Sequence, residues 1–202
     1  MLKFKKIKGN LVHNTAVINW NKLLIGKGNI IGPYVVIGNN AQHPKSKSNG
    51  IISIGNNNTF NEYCNIHLPT NSTKKTFIGN NNYFMNSTTI DHDCLIENDT
   101  VLSSNVILGG NVHVMSGAQL GIKVCVHQKQ IIGSYTMIGM NSFITKKLKV
   151  IPGYIFYGKP AKKKNKNLIS LKMNKVNSSE LKLELLRYNK LVRYNKLVRS
   201  KK

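Results

Sequence analysis

The sequence predicts an all-β fold, a left-handed parallel β-helix with a small α-helical tail. Three observations predict it: apolar residues recur at every sixth position, Gly or Asn follows many of them, and from Asn167 the composition changes to Leu, Lys, Glu and Arg, which predicts one or two helices. A helix would show a period of 3.6 residues, whereas a period of six places one hexapeptide on each flat side of a triangular solenoid. The inward apolar residues of stacked coils then form one continuous core.

The six-residue repeat is uninterrupted over the middle of the chain. Its positions are all apolar: Ile78, Phe84, Ile90, Ile96, Leu102, Leu108, Val114, Leu120, Val126, Ile132, Ile138 and Ile144. An earlier run keeps the same frame, and a still earlier run keeps the period in a shifted frame: Ile54, Phe60 and Ile66, then Ile25, Ile31 and Ile37. Gly and Asn beside these positions tolerate positive φ, which suits the corners of the prism.

Two polar stretches, 39–50 and 68–75, interrupt the repeat and predict loops that leave the prism. We expect residues 1–161 to form the β-helix domain and residues 162–202 to form a basic helical tail. Within the tail, Ser178 or Ser179 is expected to cap a second helix that starts near Glu180. The tandem RYNKLV copies at 187–198 place apolar residues all around a helix, which predicts a loosely packed end.

The charge of the chain points to an anionic partner or to a solvated face. The formal net charge is +23, and residues 146–202 hold 18 of the 30 Lys and Arg but only Glu180 and Glu184 among the acids. A basic tail suits a nucleotide diphosphate, an acidic carrier protein or the nucleotide of coenzyme A, and equally a face that binds nothing specific. The sequence lacks RNP, zinc-finger and P-loop motifs, so no nucleic-acid partner is expected.

The distribution of apolar residues and cysteines predicts the cellular location and the metal content. No apolar stretch of about 18 residues occurs, and no apolar segment follows the basic N-terminus, so we expect a cytoplasmic protein with no integral membrane segment. The three cysteines form no CxxC pair, so neither a metal site nor a disulfide framework is expected.

Four further stretches carry a resemblance to a known family. They are NSTTIDHDCLIEND (86–99), LGGNVHV (108–114), VHQKQIIG (126–133) and IPGYIFYGKPA (151–161). In these stretches the chain resembles the UDP-N-acetylglucosamine acyltransferases of lipid A biosynthesis, and related enzymes that acylate nucleotide-linked amino sugars. The IDHDC and VHQ motifs are fairly specific, whereas the hexapeptides are not.

The resemblance implies a catalytic pair. His92 matches the general base, and a neutral imidazole can take a proton from an acceptor hydroxyl or amine. Gly110 matches the position whose backbone N–H polarises the thioester carbonyl. Asp93 matches a substrate-contacting Asp. Because adjacent residues on a strand face opposite ways, we expect Asp93 to point away from His92 and towards substrate.

The resemblance also implies binding residues, and a homotrimer in which each site forms between two chains. The substrate residues besides Asp93 are His67, Gln42, His43, Lys45, His127 and Gln128. The acyl-donor residues are Asn111, Met140 and Lys159. By residue counting, Gly110 and Asn111 should lie about one coil above His92, and His127 and Gln128 about two coils above it. For each residue, a position on the wall or surface with no function is the competing interpretation.

Departures from the family pattern favour an altered substrate. His43 replaces an Asp that contacts the nucleotide sugar, and Met173 and Asn174 stand where the family has arginines that hold phosphate. Met140 lies where the lipid A enzyme often has a small residue in its acyl groove. A longer side chain shortens that groove, which favours a short acyl group, with acetyl first.

These features predict an acyltransferase for lipopolysaccharide or surface-glycan biosynthesis. It would move a short acyl group, acetyl favoured, from a thioester donor to the amine or hydroxyl of a nucleotide-linked amino sugar. The co-substrate would be acetyl-coenzyme A or an acyl carrier protein thioester, with no permanently bound cofactor. One alternative is a lipid A type UDP-N-acetylglucosamine 3-O-acyltransferase that uses 3-hydroxyacyl carrier protein. Others are a hexapeptide-repeat carbonic anhydrase, which needs closely spaced zinc-binding His residues that the sequence lacks, and a non-enzymatic scaffold.

Overall fold

A computed structural model of the chain describes residues 3–42, 47–70 and 73–200, with side chains described as far as residue 195. His43 and Lys45 of the predicted substrate loop lie outside these ranges. The chain winds as a left-handed parallel β-helix whose three faces are sheets, with helices at its C-terminal end. The predicted fold class is therefore confirmed.

Each sheet takes one short strand from each coil. In stacking order, sheet 1 contains β1 (Phe4–Ile7), β2 (Asn10–His13), β5 (Ile30–Ile31), β8 (Thr59–Phe60), β11 (Tyr83–Phe84), β14 (Val101–Leu102), β17 (Gln119–Leu120), β20 (Met137–Ile138), β22 (Tyr154–Gly158) and β23 (Ala161–Lys166). Sheet 2 contains β3 (Val17–Ile18), β6 (Val36–Asn39), β9 (Asn65–His67), β12 (Thr89–Ile90), β15 (Ile107–Leu108), β18 (Cys125–Val126) and β21 (Phe143–Ile144). Sheet 3 contains β4 (Leu23–Ile25), β7 (Ile51–Ile54), β10 (Lys75–Ile78), β13 (Leu95–Ile96), β16 (His113–Val114) and β19 (Ile131–Ile132). The pairs β1–β2 and β22–β23 are antiparallel hairpins at the two ends of sheet 1.

The core is the repeat that the sequence displays. From Ile78 to Ile144, the residue at every sixth position is at most 4 % exposed. Successive coils pair these residues directly, as Ile90 with Leu108 and Leu108 with Val126. Each buried aliphatic side chain contributes about 1.5–3 kcal/mol relative to exposure, so the stacked core is the main source of stability.

Asparagine residues stabilise the corners of the prism in two ways. Some residues, such as Asn57 and Asn81, adopt the positive φ that the sequence predicts at corners. Others form a buried ladder in which each side-chain oxygen accepts from the backbone N–H of the next coil. In this ladder Asn29 Oδ1 accepts from Asn58 N at 2.8 Å, and Asn58 Oδ1 accepts from Asn82 N at 2.9 Å. The ladder satisfies amides that would otherwise be costly to bury.

Within the described residues, the two interruptions lie against each other at 48–49 and 69–70. Ser48 and Thr70 form an antiparallel bridge, and Asn49 N donates to the Pro69 carbonyl oxygen at 2.9 Å. Ala41 N donates to the Ser48 hydroxyl at 2.7 Å. The two loops thus meet at the corner where sheet 2 leads into sheet 3.

The tail begins with a strand. Residues 162–166 belong to β23, because the chain first turns back to pair with β22. Two helices follow, α1 (Leu168–Met173) and α2 (Ser178–Ser200). Neither predicted serine caps α2. Instead Asn177 Oδ1 accepts from the N–H groups of Ser179 and Glu180 at 2.9 and 3.0 Å.

No helix in the described ranges is long and apolar enough to cross a membrane.

Helix α2 is anchored to the prism by one buried acid. Glu97 accepts hydrogen bonds from His113 Nε2 at 2.6 Å, from the Ser116 hydroxyl at 3.0 Å and from the Arg187 guanidinium. Tyr188, the next residue, is buried against Met115 and Ile131. The expectation of a loosely packed helix is therefore wrong for this turn of α2. Burial opposes ionisation, but the hydrogen bond with His113 and the charge of Arg187 hold the pKa of Glu97 at about 2.

Replacing Glu97 with Gln should loosen α2. The variant keeps the volume but leaves His113 and Arg187 without their carboxylate, so we expect the free energy of unfolding to fall by roughly 1–3 kcal/mol. In the parent protein the same contribution is present above the ordinary pKa of 4.5 and is lost as pH falls from there towards 2. Chemical denaturation, with hydrogen exchange of the α2 amides, measures both effects.

The matched control is Glu62→Gln, which neutralises an exposed acid elsewhere on the prism. It should leave both the unfolding free energy and α2 exchange at parent values. Equal destabilisation by the two variants would contradict the anchoring role of Glu97.

Candidate functional site

The predicted catalytic residues lie on one corner, where sheet 2 leads into sheet 3. We call this corner the His92 edge and define it as residues 91–93, 109–111, 127–129 and 145–147. Strands β12, β15, β18 and β21 stack with an 18-residue offset, so these turns lie directly above one another. His92, Gly110 and Gln128 therefore form one column, and Asp91, Gly109 and His127 form the column beside it.

Asp93 contacts His92 directly. The His92 Nδ1 and Asp93 Oδ2 atoms are 2.7 Å apart, and the Asp93 side chain has no solvent exposure. The expectation that Asp93 points away from His92 is wrong, whereas its contact with substrate stays a prediction. That argument assumed a strand, whereas Asp93 occupies a turn with φ of 60°, which brings neighbouring side chains to the same side.

The loop at 68–75 holds the Asp93 carboxylate. The hydroxyl groups of Thr70 and Thr73 donate to it at 2.6 and 2.5 Å, and the Thr70 backbone N–H lies 3.2 Å from both carboxylate oxygens. The sequence marks this stretch as a loop but carries no signal that two of its threonines turn inward. Thr70 and Thr73 are thus site residues that sequence reasoning missed.

These contacts set the protonation of the pair. Burial disfavours ionised Asp93, but the hydrogen bonds from His92, Thr70 and Thr73 hold the pKa of Asp93 well below its usual value. The hydrogen bond with Asp93 in turn raises the pKa of His92, against the effect of burial. Because an ionised carboxylate only accepts, Nδ1 of His92 carries a proton, and Nε2 is the basic nitrogen of the neutral ring.

Gly110 lies directly over the imidazole. A Cβ atom at this position would be 2.5 Å from His92 Nε2 and 3.0 Å from Nδ1. Its φ is not in the left-handed region, which the neighbouring Asn111 occupies with φ of 60°. Glycine is therefore required here for space rather than for backbone conformation. In the described part of the chain the Gly110 N–H has no hydrogen-bond acceptor.

The remaining predicted substrate residues surround this column. His67 lies one coil below Asp91, in the column that continues to Gly109 and His127, and its Nδ1 is 3.1 Å from Asp91 Oδ1. Gln42 lies at the described end of the neighbouring loop and is exposed. His127 and Gln128 are exposed on the turn two coils above His92, where His127 Nδ1 lies 2.9 Å from the Gln128 carbonyl oxygen.

Two predicted donor residues lie elsewhere in the chain. Met140 follows β20 on the corner between sheets 1 and 2, where its side chain is 70 % exposed. Lys159 lies in the β22–β23 turn with its ammonium over the Phe143 ring, 5.2 Å from the centroid. A single chain therefore does not bring Met140 or Lys159 to His92, whereas Asn111 is adjacent to it, its N–H donating to the His92 carbonyl oxygen at 2.9 Å.

Comparison with known proteins finds one group of similar enzymes. The acyl-(acyl-carrier-protein)–UDP-N-acetylglucosamine O-acyltransferase of Synechocystis is 33 % identical over 158 residues, which cover 78 % of this chain and 56 % of that protein. The enzyme of the same name from Rhizobium rhizogenes is 37 % identical over 162 residues, covering 78 % and 58 %. Among solved structures, a UDP-N-acetylglucosamine acyltransferase from Bacteroides fragilis superposes with a TM-score of 0.80 at 28 % identity, covering 89 % of this chain and 69 % of that one. By sequence and by fold, this chain is similar to the UDP-N-acetylglucosamine acyltransferases.

The similarity does not cover the whole of the relatives. The chain spans a little over half the length of these two curated acyltransferases. No family model matches the chain.

Proposed function

We propose that this chain is an acyltransferase in which His92 deprotonates the acceptor of an acyl group carried on a thioester. The observation that carries the proposal is the stacked arrangement of Asp93, His92 and Gly110. It combines an oriented base with a backbone N–H above it, on the edge that matches the acyltransferase motifs. A base whose pKa is tuned by a buried acid is characteristic of a catalytic site rather than of a wall residue.

The proposed reaction proceeds by addition and elimination. The acceptor oxygen attacks the thioester carbonyl carbon while its proton passes to Nε2 of His92. The carbonyl oxygen gains negative charge and accepts a hydrogen bond from the Gly110 N–H. Collapse of this intermediate breaks the carbon–sulfur bond, and the departing thiolate takes the proton back from the His92 imidazolium. Asp93 stays ionised throughout and stabilises the imidazolium.

The favoured acceptor is a hydroxyl of UDP-N-acetylglucosamine, with an acyl carrier protein thioester as donor. The names of the similar proteins support this pair, as do two loops that meet beside His92 and the His67–Asp91 pair in the coil below. The setting would be lipid A or a related surface glycan. In this proposal the working unit is a homotrimer, because Met140 and Lys159 reach a His92 edge only from a neighbouring copy.

A second candidate is transfer of an acetyl group from acetyl-coenzyme A to the amine of a nucleotide-linked amino sugar. Met140 favours it, because an exposed methionine facing a neighbouring edge would shorten an acyl groove. Met173 and Asn174, which stand where the resembling family has arginines, favour a changed phosphate contact.

One experiment separates the two candidates. The purified chain is incubated with UDP-N-acetylglucosamine or a UDP-linked amino sugar, each with 3-hydroxyacyl carrier protein or acetyl-coenzyme A, and products are identified by mass spectrometry. A 3-O-acylated UDP-N-acetylglucosamine supports the favoured pair, and an N-acetylated sugar supports the second. No thiol release with any pair, from a protein that is folded and trimeric, would overturn the acyltransferase proposal.

Replacing Asp93 with Asn tests its role as a positioning residue. The carboxylate raises the pKa of His92, so its loss should move the acid limb of the kcat/KM profile to lower pH. An amide also no longer fixes the ring with Nε2 as the base, so kcat should fall by about 10² or more. The pH profile separates this role from a merely structural one.

Asp99→Asn is the matched control, since it removes an exposed carboxylate six residues away in sequence. It should keep the parent pH profile and kcat. An unshifted acid limb in the Asp93 variant would contradict the proposed coupling between the two side chains.

A further inference from the structure

One pair of neighbouring residues in the chain is suited to react with itself. Asn49 is the only asparagine that is followed by glycine, and the pair lies just before β7 begins at Ile51. The backbone nitrogen after an asparagine can attack the side-chain amide, and glycine, which has no Cβ atom, places nothing in its way. Asparagine is among the residues that limit the chemical lifetime of proteins. Whether Asn49–Gly50 reacts therefore depends on how the fold holds the pair.

The structure leaves both reacting groups accessible. Asn49 is exposed, and Gly50 is half-buried. The backbone N–H of Asn49 donates to the Pro69 carbonyl oxygen at 2.9 Å, and that of Ile51 donates to the Lys74 carbonyl oxygen at 3.1 Å. Between these two bonds, the Gly50 N–H has no hydrogen-bond acceptor among the described residues. The nitrogen that would attack is therefore not held in place by an acceptor.

The fold also requires the glycine of this pair. Gly50 has a φ of 108°, in the region that favours glycine. A Cβ atom at this position would overlap the backbone carbonyl oxygen of Lys74. A larger residue would shield the Asn49 side chain from attack, but none fits here without moving the backbone. The turn into β7 thus keeps the reactive pair together.

We propose that Asn49 is a site of spontaneous deamidation that yields isoaspartate and aspartate. The Gly50 nitrogen loses its proton to water and bonds to the Asn49 Cγ atom, while the Cγ–Nδ2 bond breaks and the amide nitrogen takes up a proton and departs as ammonia. The product is a five-membered succinimide, which water then opens. Cleavage between Cγ and the ring nitrogen gives aspartate, and cleavage between the main-chain carbonyl carbon and that nitrogen gives isoaspartate. Water is the only co-reactant.

The isoaspartate product lengthens the backbone at a constrained point. It routes the main chain through the side-chain carbons, which adds one backbone atom. On one side of this point, Ser48 forms a bridge with Thr70, and on the other, Ile51 pairs with Lys75 at the start of β10. The extra atom must be accommodated between these two fixed pairs. We therefore expect the bridge between the two loops to weaken.

The weakened bridge would adjoin the groups that hold Asp93. The Thr70 hydroxyl donates to the Asp93 carboxylate at 2.6 Å, and Asp93 contacts His92. Movement of Thr70 would loosen the position of the base, a consequence that rests on the proposed function, whereas the deamidation itself does not. Conversion to aspartate keeps the backbone length and adds only an exposed charge. The two products should therefore differ in their effect on the site.

The test follows the full chain during incubation at mildly acidic and mildly alkaline pH. Peptide mapping by mass spectrometry measures conversion at each asparagine, and electron-transfer fragmentation separates isoaspartate from aspartate. We expect conversion to be fastest at Asn49, and faster at the alkaline pH because the Gly50 nitrogen must lose its proton. Asn56, which is exposed but followed by Asn57, is the internal control. The variant Asn49→Gln should give no product at this position, because its longer side chain would have to close a larger ring.

Hydrogen exchange measures the consequence for the site. In the isoaspartate form, isolated by ion exchange, we expect the Thr70 amide to exchange about tenfold faster than in the parent, as weakening of one hydrogen bond predicts. Asn49→Asp and Asn49→Gln should keep the parent rate. Conversion at Asn49 no faster than at Asn56 would overturn the modification site, and parent exchange in the isoaspartate form would overturn its link to Asp93. Neither measurement uses turnover, so both outcomes are independent of whether acyl transfer is observed.

Discussion

Replacing His92 with Ala is expected to lower kcat for acyl transfer by about 10²–10⁴, the range for loss of a positioned general base. The imidazole is held by Asp93 on one side and covered by Gly110 on the other, so its removal takes away the one base that is positioned beside the Gly110 N–H in the proposed mechanism. The acceptor must then lose its proton to water, which is not fixed at the thioester. Steady-state rates with the active donor and acceptor pair measure the effect.

The structure of the prism should survive this change. His92 projects from a turn and is not part of the stacked core, so the melting temperature and the oligomeric state should stay close to those of the parent. Lys22→Ala, an exposed residue outside the His92 edge, is the control and should keep kcat close to that of the parent. A fully active His92 variant would refute the assignment of the base.

The repeat can be predicted from the sequence because it depends only on apolar residues at intervals of six. A core position such as Leu108 needs only to be apolar and six residues from the next, and the pairing of coils follows from that. Side-chain directions at the corners of the prism are harder to predict. The alternation of side chains along a strand fails at Asp93, because this residue lies in a turn three residues beyond β12, where a positive φ changes the direction of the side chain.

Contacts between segments that are distant in sequence cannot be predicted from the sequence pattern. Thr70 and Thr73 lie about 20 residues before the carboxylate that they bind, in a stretch whose composition indicates only a loop. Glu97 and Arg187 are 90 residues apart, and their contact reverses the expectation for α2. Each of these contacts depends on how a loop or a helix folds back on the prism, which no local periodicity encodes.

The space beside Gly110 shows why this position is a glycine. The left-handed position at this corner is occupied by Asn111, so a positive φ is not the reason. What fills the space beside Gly110 is the His92 ring itself. The base and its backbone hydrogen-bond donor are therefore in van der Waals contact, an arrangement that leaves no room for a side chain.

Replacing Gly110 with Ala should consequently disable the site by a steric route. The added Cβ would lie 2.5 Å from His92 Nε2, so the ring must move by about 1 Å or more, and a displacement of this size can cost about 10²-fold in kcat. Moving the ring also strains its hydrogen bond with Asp93, so the melting temperature should fall. Rates and thermal unfolding measure the two effects.

The double variant His92→Ala/Gly110→Ala gives the decisive comparison. If the imidazole is what the new methyl group strikes, removing the ring relieves the strain, and Gly110→Ala should cost much less stability in the His92→Ala background than in the parent. If Gly110→Ala lowers the free energy of unfolding equally in both backgrounds, the methyl group clashes with the backbone instead. The contact with His92 would then not be the reason why residue 110 is a glycine. The stacked geometry requires that Gly110→Ala destabilises the His92→Ala variant less than it destabilises the parent, and that all three variants lack activity.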